Sequence, residues 1–198
     1  MRLFVAIDLN DEARRSIAAE QKRIADALAA QRSSTLKWVR PDHMHLTLAF
    51  LGEVNEGHAL PVIEAMGSEI SDAKPFAIAL GGLGVFPPHG APRVLWLGLL
   101  EGAGAVVNVQ RGVVDRLSAL GITLDERVFH PHLTLARWRR SRPADRRLVA
   151  GADRGAAIAR VEVLGVTLYQ SRLSSSEPTY TALVRAPFAH VPSASNPS

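Results

Sequence analysis

Two short segments of the chain are nearly identical and contain its most reactive side chains. Residues 43–49 read HMHLTLA and residues 130–136 read HPHLTLA, so that six of seven positions agree at a shift of 87 residues. Both segments have the apolar character of β-strands, in which successive side chains point to opposite faces. Each copy therefore presents one imidazole and one hydroxyl on one face and buries a pair of leucines on the other.

Two imidazoles in one cleft can carry out acid and base catalysis together. A histidine has an ordinary pKa of about 6.5, so one can be neutral as the base while the other is protonated as the acid. In-line cleavage of a phosphodiester needs both, and it also needs donors for the phosphate oxygens. If a pseudo-twofold axis relates the copies, His45 and His132 form the predicted acid/base pair. Thr47 and Thr134 then supply the hydroxyl donors.

A positive charge for the phosphate is predicted at Arg137, five residues after His132. The two-residue period of a strand puts these side chains on opposite faces, so a bulge or a strand end is needed to bring Arg137 to the cleft. The chain contains 20 arginines but only 3 lysines, and six of the arginines lie within residues 137–147. The guanidinium fork matches phosphate oxygens, so this bias is compatible with an anionic partner.

Composition indicates one ordered domain, or one domain of two similar lobes. The 198 residues are 47% hydrophobic and 21% charged, as in ordinary globular proteins. The absence of cysteine excludes disulfides, thiolate metal sites and cysteine nucleophiles. The start of the chain has too short an apolar run for a secretory signal, and prolines and glycines interrupt the longest uncharged stretch, residues 75–92. We expect a cytoplasmic protein without a membrane segment.

Hydrophobic periodicity predicts a repeated α+β unit. Its order is strand, helix, two strands, helix, two strands, helix, two strands, helix, two strands. The glycine-rich residues 81–84 are interpreted as a turn within the loop 81–92. The predicted helices are 11–31, 56–73, 103–120 and 143–152, and the predicted strands are 2–8, 36–39, 45–51, 76–80, 94–100, 122–129, 132–138, 161–173 and 180–187.

The chain resembles a known enzyme family over residues 1–187. Two H-x-T-x motifs about ninety residues apart are typical of the 2H phosphoesterases. Their contexts are similar to those of the bacterial RNA 2',3'-cyclic phosphodiesterases, also called 2'-5' RNA ligases. The segments that carry this resemblance are RLFVAI (2–7), KWV (37–39), HLTLAFLG (45–52), RVLWLG (93–98) and FHPHLTLAR (129–137).

The resemblance implies an α+β fold with two pseudo-symmetric lobes, each an antiparallel sheet with helices outside, around a central cleft. It implies one bilobal domain over residues 1–188, formed by internal duplication, and a flexible tail over 189–198. The implied reaction is hydrolysis of an RNA 2',3'-cyclic phosphate to a 2'-phosphomonoester, without metal or cofactor, with reversible 2'-5' ligation. The expected partner is an RNA with such an end, for example a tRNA fragment, and we expect a monomer.

Site roles follow from the resemblance residue by residue. His45 is the implied acid and His132 the implied base, with phosphate contacts from Thr47, Thr134 and Arg137. One residue departs from the family pattern, because position 43 is more often asparagine and is histidine here.

Two alternative functions stay open from the sequence. His43, His45, His130 and His132 form two H-x-H pairs, a workable nitrogen ligand set for zinc. Against this stands the interpretation of His43 and His130 as structural histidines at strand starts. A module that binds RNA ends without turnover is the other alternative.

Further residues have a structural and a functional interpretation. Core packing is the expected role of Trp38, Phe86, Trp96 and Trp138, with Trp138 the best candidate for stacking a base because it follows Arg137. The arginines of residues 139–147 fit either an RNA backbone or a solvated helix face.

Overall fold

The structure is a computed structural model that describes residues 1–29, 34–70, 72–125, 127–172 and 178–189. Two antiparallel sheets and four helices make up these residues, so the predicted α+β class is confirmed. Most of the expected tail, residues 190–198, lies outside them. The helices are α1 (Asp11–Leu28), α2 (Glu56–Gly67), α3 (Ala103–Ser118) and α4 (Asp145–Ala152), and the strands are β1 (Arg2–Asp8), β2 (Thr35–Trp38), β3 (His45–Glu53), β4 (Phe76–Phe86), β5 (Val94–Glu101), β6 (Leu133–Arg140), β7 (Ala157–Val163), β8 (Gly165–Arg172) and β9 (Thr179–Pro187).

The two sheets are related by a pseudo-symmetric strand order. The first sheet has the order β3-β1-β8-β9, and the second has the order β2-β6-β5-β4-β7. Placing β3 on β6 therefore places β1 on β5, β8 on β4 and β9 on β7. The strands that hold the two repeated motifs, β3 and β6, contact each other where the sheets meet.

Each sheet is covered by one helix from the first half of the chain and one helix from the second half. Helix α1 packs on β7 and α4 on β4 of the second sheet, whereas α2 packs on β9 and α3 on β3 of the first. Asn10 caps α1 by accepting a hydrogen bond from the backbone N–H of Ala13, as its position in the sequence suggests. Among the described residues, no helix is long and apolar enough to cross a bilayer.

The leucines of the repeated motifs lie in the core, as predicted. Leu46, Leu133 and Leu135 are fully buried, and Leu48 is 3% exposed. Burial of a leucine side chain contributes roughly 1.5 to 3 kcal/mol, so these four residues hold both motif strands firmly against the core. The same strands thus anchor the fold and display the motif histidines.

The strand predicted for residues 122–129 is absent. Residues 122–125 and 127–130 have no strand structure. Asp125 accepts hydrogen bonds from the backbone N–H and the guanidinium of Arg127, and such a local turn competes with strand pairing. The first-half counterpart of this segment, β2, does form a strand, so the pseudo-symmetry is incomplete at this point.

The predicted turn at residues 81–84 is also wrong, because β4 continues through Phe86. Gly82 is an extra residue in the register with β5 and has a φ of +74°, a conformation that favours glycine. Gly84 lies beneath the indole of Trp96, where a Cβ atom would come within 2.1 Å of the ring. The glycines therefore serve a bulge and a close side-chain approach inside a strand.

The single run predicted over 161–173 is two strands in different sheets. Strand β7 pairs with β4 and β8 pairs with β1, with Leu164 between them and 60% exposed. A continuous apolar pattern does not reveal such a crossing. Position 173 lies outside the described residues. The observed order accordingly ends in one strand, a helix and three strands.

The packing of Trp96 on Gly84 gives a stability prediction. Gly84→Ala should lower the free energy of unfolding by about 1 to 3 kcal/mol, because the rigid indole must move to make room for the methyl group. Gly112→Ala is the control, since a Cβ at this exposed position in α3 meets nothing within 4 Å. It should raise the free energy of unfolding by up to about 1 kcal/mol through helix propensity. Urea unfolding measures both, and equal effects of the two substitutions would contradict the packing argument.

Candidate active site

The first motif lies on β3 within a cluster of aromatic rings. The imidazole of His45 stacks on Phe4 at a centroid distance of 4.8 Å and meets the edge of Tyr180 at 5.4 Å. Phe4 in turn stacks on Tyr169 at 5.2 Å. Thr47 lies two residues along the strand, partly buried like His45. The rings fix the plane of the His45 imidazole while leaving part of it accessible.

A carboxylate opposite His45 holds the neighbouring strands together. Asp8 is the Cα partner of His45 across the β1–β3 pair. It accepts hydrogen bonds from Thr167 Oγ1 at 2.7 Å, from the Tyr169 hydroxyl at 2.5 Å and from Arg185 at 3.2 Å. Burial, together with the hydrogen bond to Asp8, raises the pKa of Tyr169, so its phenol stays protonated as a donor.

The second motif, at the start of β6, has a similar aromatic surround. The ring of Phe86 meets His132 edge-on at 5.0 Å, and Trp96 lies 6.1 Å from the imidazole. The Nδ1 atom of His132 is 2.7 Å from the carbonyl oxygen of His130. A carbonyl oxygen can only accept, so Nδ1 donates and the neutral ring keeps its lone pair on Nε2. His45 makes the corresponding hydrogen bond with the backbone of His43.

Both motif strands contain a β-bulge at the same position of the repeat. Leu48 is an extra residue of β3 opposite β1, and Leu135 is an extra residue of β6 opposite β5. A bulge reverses the alternation of side chains beyond it. The residue three places after each threonine therefore lies on the same face as the histidine. This is the bulge that the sequence analysis required to bring Arg137 to that face. In the first copy the same place is taken by Phe50, which sequence reasoning missed although the shift of 87 residues points to it.

Two side chains of α1 hold the motif strands in place. Arg14 donates hydrogen bonds to the carbonyl oxygens of Leu9 at 3.2 Å, Pro41 at 2.8 Å and Met44 at 3.2 Å, fixing the turn that leads into β3. Gln21 is buried and donates to two further carbonyl oxygens, that of Val39 at 2.9 Å and that of the bulge residue Leu135 at 3.0 Å. One helix thus supports the approach to the first motif and the bulge of the second.

Arg137 acts electrostatically on both halves of the site. Its positive charge lowers the pKa of His132 in its own half. It also opposes the burial-induced rise in the pKa of Tyr180, whose ring lies on His45 in the other half. The charge of Arg137 therefore acts on an aromatic ring beside the first motif as well as on the histidine of its own motif.

Burial lowers the pKa values of both histidines. The pKa of His45 falls from about 6.5 to about 4, mainly by loss of hydration, although its backbone hydrogen bond and the charge of Asp8 oppose the shift. The pKa of His132 also falls, again mainly through burial, with a contribution from Arg137. Both imidazoles are therefore neutral at pH 7 in the free protein.

The zinc ligand set proposed from the sequence is not formed. Within the described part of the chain, no group of three or more His, Asp or Glu side chains is arranged to hold a metal ion. His43 lies against Tyr180 at 5.0 Å, whereas His130 lies against Phe86 at 6.3 Å. The two H-x-H pairs thus contact different aromatic rings.

The aromatic residues singled out from the sequence fall into two groups. Trp38 and Trp138 are partly buried and pack against the core, as expected. Phe86 and Trp96 instead lie beside His132, and the Nε1 atom of Trp96 is buried without a hydrogen-bond partner. Arg139 is exposed on β6, so the charge that follows Arg137 faces solvent.

Known proteins show similarity over nearly the whole chain. An RNA 2',3'-cyclic phosphodiesterase of Geobacillus stearothermophilus is 33% identical over 96% of this chain, which spans 58% of that relative. An enzyme of the same name from Archaeoglobus fulgidus is 36% identical, with 92% of this chain and 98% of the relative covered. The crystal structure of E. coli LigT complexed with 3'-AMP has a TM-score of 0.68 and 26% identity, covering 96% of this chain and 98% of that one.

The family follows from these matches. The sequence profile described as LigT like Phosphoesterase matches residues 7–96 and 100–180. The fold and the two H-x-T-x motifs are accordingly those of a 2H phosphoesterase. The chain belongs to the LigT-like phosphoesterase family, and the resemblance seen in the sequence is confirmed.

The lowered pKa of His45 predicts a pH-dependent stability. The unfolded chain takes up a proton on this residue below about 6.5, whereas the folded protein does so below about 4, so acid favours unfolding. Between pH 7 and pH 5 this contributes a loss of about 2 kcal/mol in the free energy of unfolding. His45→Gln should abolish that contribution, whereas His58→Gln, at an exposed site on α2, should retain it. Urea unfolding at the two pH values tests this, and an unchanged pH dependence in His45→Gln would refute the lowered pKa.

Proposed function

We propose that the protein is an RNA 2',3'-cyclic phosphodiesterase that converts the cyclic end to a 2'-phosphomonoester. The observation that carries this proposal is the pair of H-x-T motifs on contacting strands, each with the same bulge and with a backbone-bonded histidine. The names of the relatives from Geobacillus and Archaeoglobus give the substrate class. The 3'-AMP held by E. coli LigT is consistent with a nucleotide that has its phosphate on the ribose.

The reaction is an in-line displacement at phosphorus. His132 accepts a proton from water through Nε2, the atom that the hydrogen bond at Nδ1 leaves free. The water oxygen bonds to phosphorus while the bond from phosphorus to the ribose 3'-oxygen breaks. His45 donates a proton to the departing 3'-oxygen, and the phosphate stays on the 2'-oxygen. In 2'-5' bond formation a 5'-hydroxyl takes the part of water and the 3'-oxygen again leaves, so the 2'-oxygen stays bonded to phosphorus. In the reverse reaction the 3'-hydroxyl attacks phosphorus and the 5'-oxygen leaves.

The negative charge of the substrate favours the protonated form that His45 needs as the acid, and the proton is taken up from solvent. At pH 7 the His45 imidazole of the free protein is neutral, since burial holds its pKa at about 4. An anionic phosphate within a few ångströms favours the imidazolium form and raises the pKa again. Binding therefore charges the acid, whereas His132, beside the positive Arg137, remains the base.

Thr47, Thr134 and Arg137 hold the phosphate. The two hydroxyls flank it from the two motif strands and donate to its non-bridging oxygens. The guanidinium of Arg137 neutralises the charge that builds on these oxygens in the transition state, the contribution that is usually largest in such reactions. No metal or cofactor takes part, and the enzyme acts as a monomer on RNA ends such as those of tRNA fragments.

The proposal predicts strong losses of activity on removal of either histidine. His45→Ala and His132→Ala should each lower the hydrolysis rate by about 10² to 10⁴-fold, the usual effect of losing a general acid or base. The assay uses a short RNA with a 2',3'-cyclic phosphate end, in the presence of EDTA, and identifies the hydroxyl that keeps the phosphate. The expected product has the phosphate on the 2'-oxygen.

A matched histidine control separates catalysis from general damage. His89 is exposed in the loop after β4, and His89→Ala should keep full activity. Binding of the cyclic RNA without turnover by the wild-type protein would contradict an enzymatic role. Activity that EDTA abolishes and zinc restores would contradict the mechanism.

A further inference from the structure

Strand β6 contains a second bulge beyond the one in its motif. In the pairing of β6 with β2, Arg139 is an extra residue between the paired residues Trp138 and Arg140. A bulge reverses the alternation of side chains beyond it. Arg140 therefore lies on the same face as Arg137, three residues earlier, just as the first bulge places Arg137 on the face of Thr134. Arg139 is left on the opposite face.

The face that Arg137 and Arg140 share is the face of the second motif histidine. Arg137 is the Cα partner of Val94 on β5, and Val94 is the partner of Phe86 on β4, so these side chains lie on one side of the sheet. The ring of Phe86 meets the imidazole of His132 with a centroid distance of 5.0 Å. Both arginines thus point to the side of the sheet on which the proposed reaction takes place.

Lys37 adds a third positive charge to this face. It is the Cα partner of Arg137 on the edge strand β2, and both residues are exposed. Arg140 is opposite Thr35, two residues before Lys37 on the same strand. Two residues of a strand span roughly 7 Å, so a row of three cations leads from the motif toward the outer end of β6.

This row of cations does not stabilise the sheet by itself. Lys37 and Arg137 are directly opposite each other, and like charges in such cross-strand pairs are destabilising. Among the described residues, neither Arg137 nor Arg140 is paired with a carboxylate, whereas the guanidinium groups of Arg127 and Arg160 are. The charges of the two arginines are therefore available to an anion from outside the protein.

A buried carboxylate fixes the backbone at the outer end of the row. Asp145, 5% exposed at the start of α4, accepts hydrogen bonds from the hydroxyl of Ser34 and from the backbone N–H of Arg142, both at 2.7 Å. Ser34 directly precedes β2, and Arg142 follows β6. The ends of the two strands that carry the cations are thus tied together before a ligand binds.

From this arrangement we propose that Lys37 and Arg140 bind the phosphodiester that precedes the cyclic end, while Arg137 contacts the cyclic phosphate. This inference rests on the proposed function and extends it from the terminal nucleotide to the RNA chain. An RNA strand repeats its phosphate once per nucleotide, and the row repeats its positive charge at a comparable spacing. The enzyme therefore distinguishes an RNA end from a nucleoside 2',3'-cyclic phosphate, which has no second phosphate.

Binding without turnover tests this contact through the charge of one linkage. Three ligands are titrated calorimetrically: adenosine 2'-monophosphate, the dinucleotide uridylyl-(3'→5')-adenosine 2'-phosphate, and the same dinucleotide with a neutral methylphosphonate linkage. The proteins are wild type, Lys37→Met, Arg140→Met and the control Arg139→Met. The control removes an exposed arginine of the same strand from the opposite face.

The expected loss of affinity is confined to the ligand with the charged linkage. Lys37→Met and Arg140→Met should each weaken binding of the anionic dinucleotide by about 3- to 10-fold, as for the loss of one exposed contact between charged groups. The other two ligands should bind within about twofold of wild type. For the anionic dinucleotide, the slope of log Kd against log salt concentration should become shallower by about 0.7 in each variant, the value for one phosphate contact to a single strand. Arg139→Met should behave as wild type does.

Three results would overturn the inference. They are equal weakening of all three ligands by Lys37→Met or Arg140→Met, no weakening of any ligand, and an effect of Arg139→Met as large as that of Arg140→Met. Urea unfolding checks the fold, and Lys37→Met should not lower the free energy of unfolding because it removes a like-charge pair.

Hydrolysis of the corresponding 2',3'-cyclic phosphates separates this inference from the proposed function. In Lys37→Met and Arg140→Met, kcat/KM should fall only for the anionic dinucleotide. Hydrolysis that both variants leave unchanged would refute the second phosphate contact and leave the proposed function standing. A wild-type protein that binds the anionic dinucleotide through Lys37 and Arg140 but hydrolyses no cyclic phosphate would refute the proposed function and leave the contact standing.

Discussion

The site depends on one constraint, which is the extra residue that each motif strand contains directly after the threonine. Without the bulges at Leu48 and Leu135, strict alternation would bury the residues at positions 50 and 137 with the leucines. With them, the buried leucine and alanine of each motif lie side by side in the core, and the next residue turns back to the histidine face. The chemistry of the cleft therefore follows from a local irregularity that both halves share.

The surrounding structure keeps this irregularity fixed. The carbonyl oxygen of Leu135 accepts both from Gln21, buried in α1, and from the backbone N–H of Val39, so the bulge of β6 is tied to α1 and to the segment that follows β2. The aromatic rings around each histidine exclude water and lower the pKa values, most strongly at His45. Neutral imidazoles gain protons more readily when an anion binds beside them.

The periodic and repeated features of the sequence predicted much of this arrangement. Helix starts and the motif strands with buried leucines were predicted within two residues of their observed starts, whereas α2 ends at Gly67, six residues before its predicted end. The repeat indicated His45 and His132 because identical histidines and threonines are hard to obtain by chance. The need for a bulge before Arg137 also followed from simple strand alternation. The bulge at Leu48 and the resulting exposure of Phe50 were not predicted from the sequence. No residue of the first copy had a proposed role that required its side chain to change faces.

Other features were hidden because they depend on contacts between distant segments. The glycines of β4 look like a turn until Trp96 is placed over Gly84, and the run through Leu164 looks continuous until its two halves pair in different sheets. Likewise, the apolar residues after Gly121 suggest a strand, but the ion pair between Asp125 and Arg127 closes a local turn. Propensity describes each segment alone, whereas partners elsewhere in the fold decide these cases.

The central claim is that both motif histidines touch one phosphate group. NMR titration of the imidazole resonances of His45 and His132, with and without saturating inorganic phosphate, measures this most directly. The account predicts that phosphate raises the pKa of both histidines, because one bound anion stabilises both imidazolium ions, while His58 and His89 do not respond. A rise at one motif histidine alone, or at neither, would contradict it.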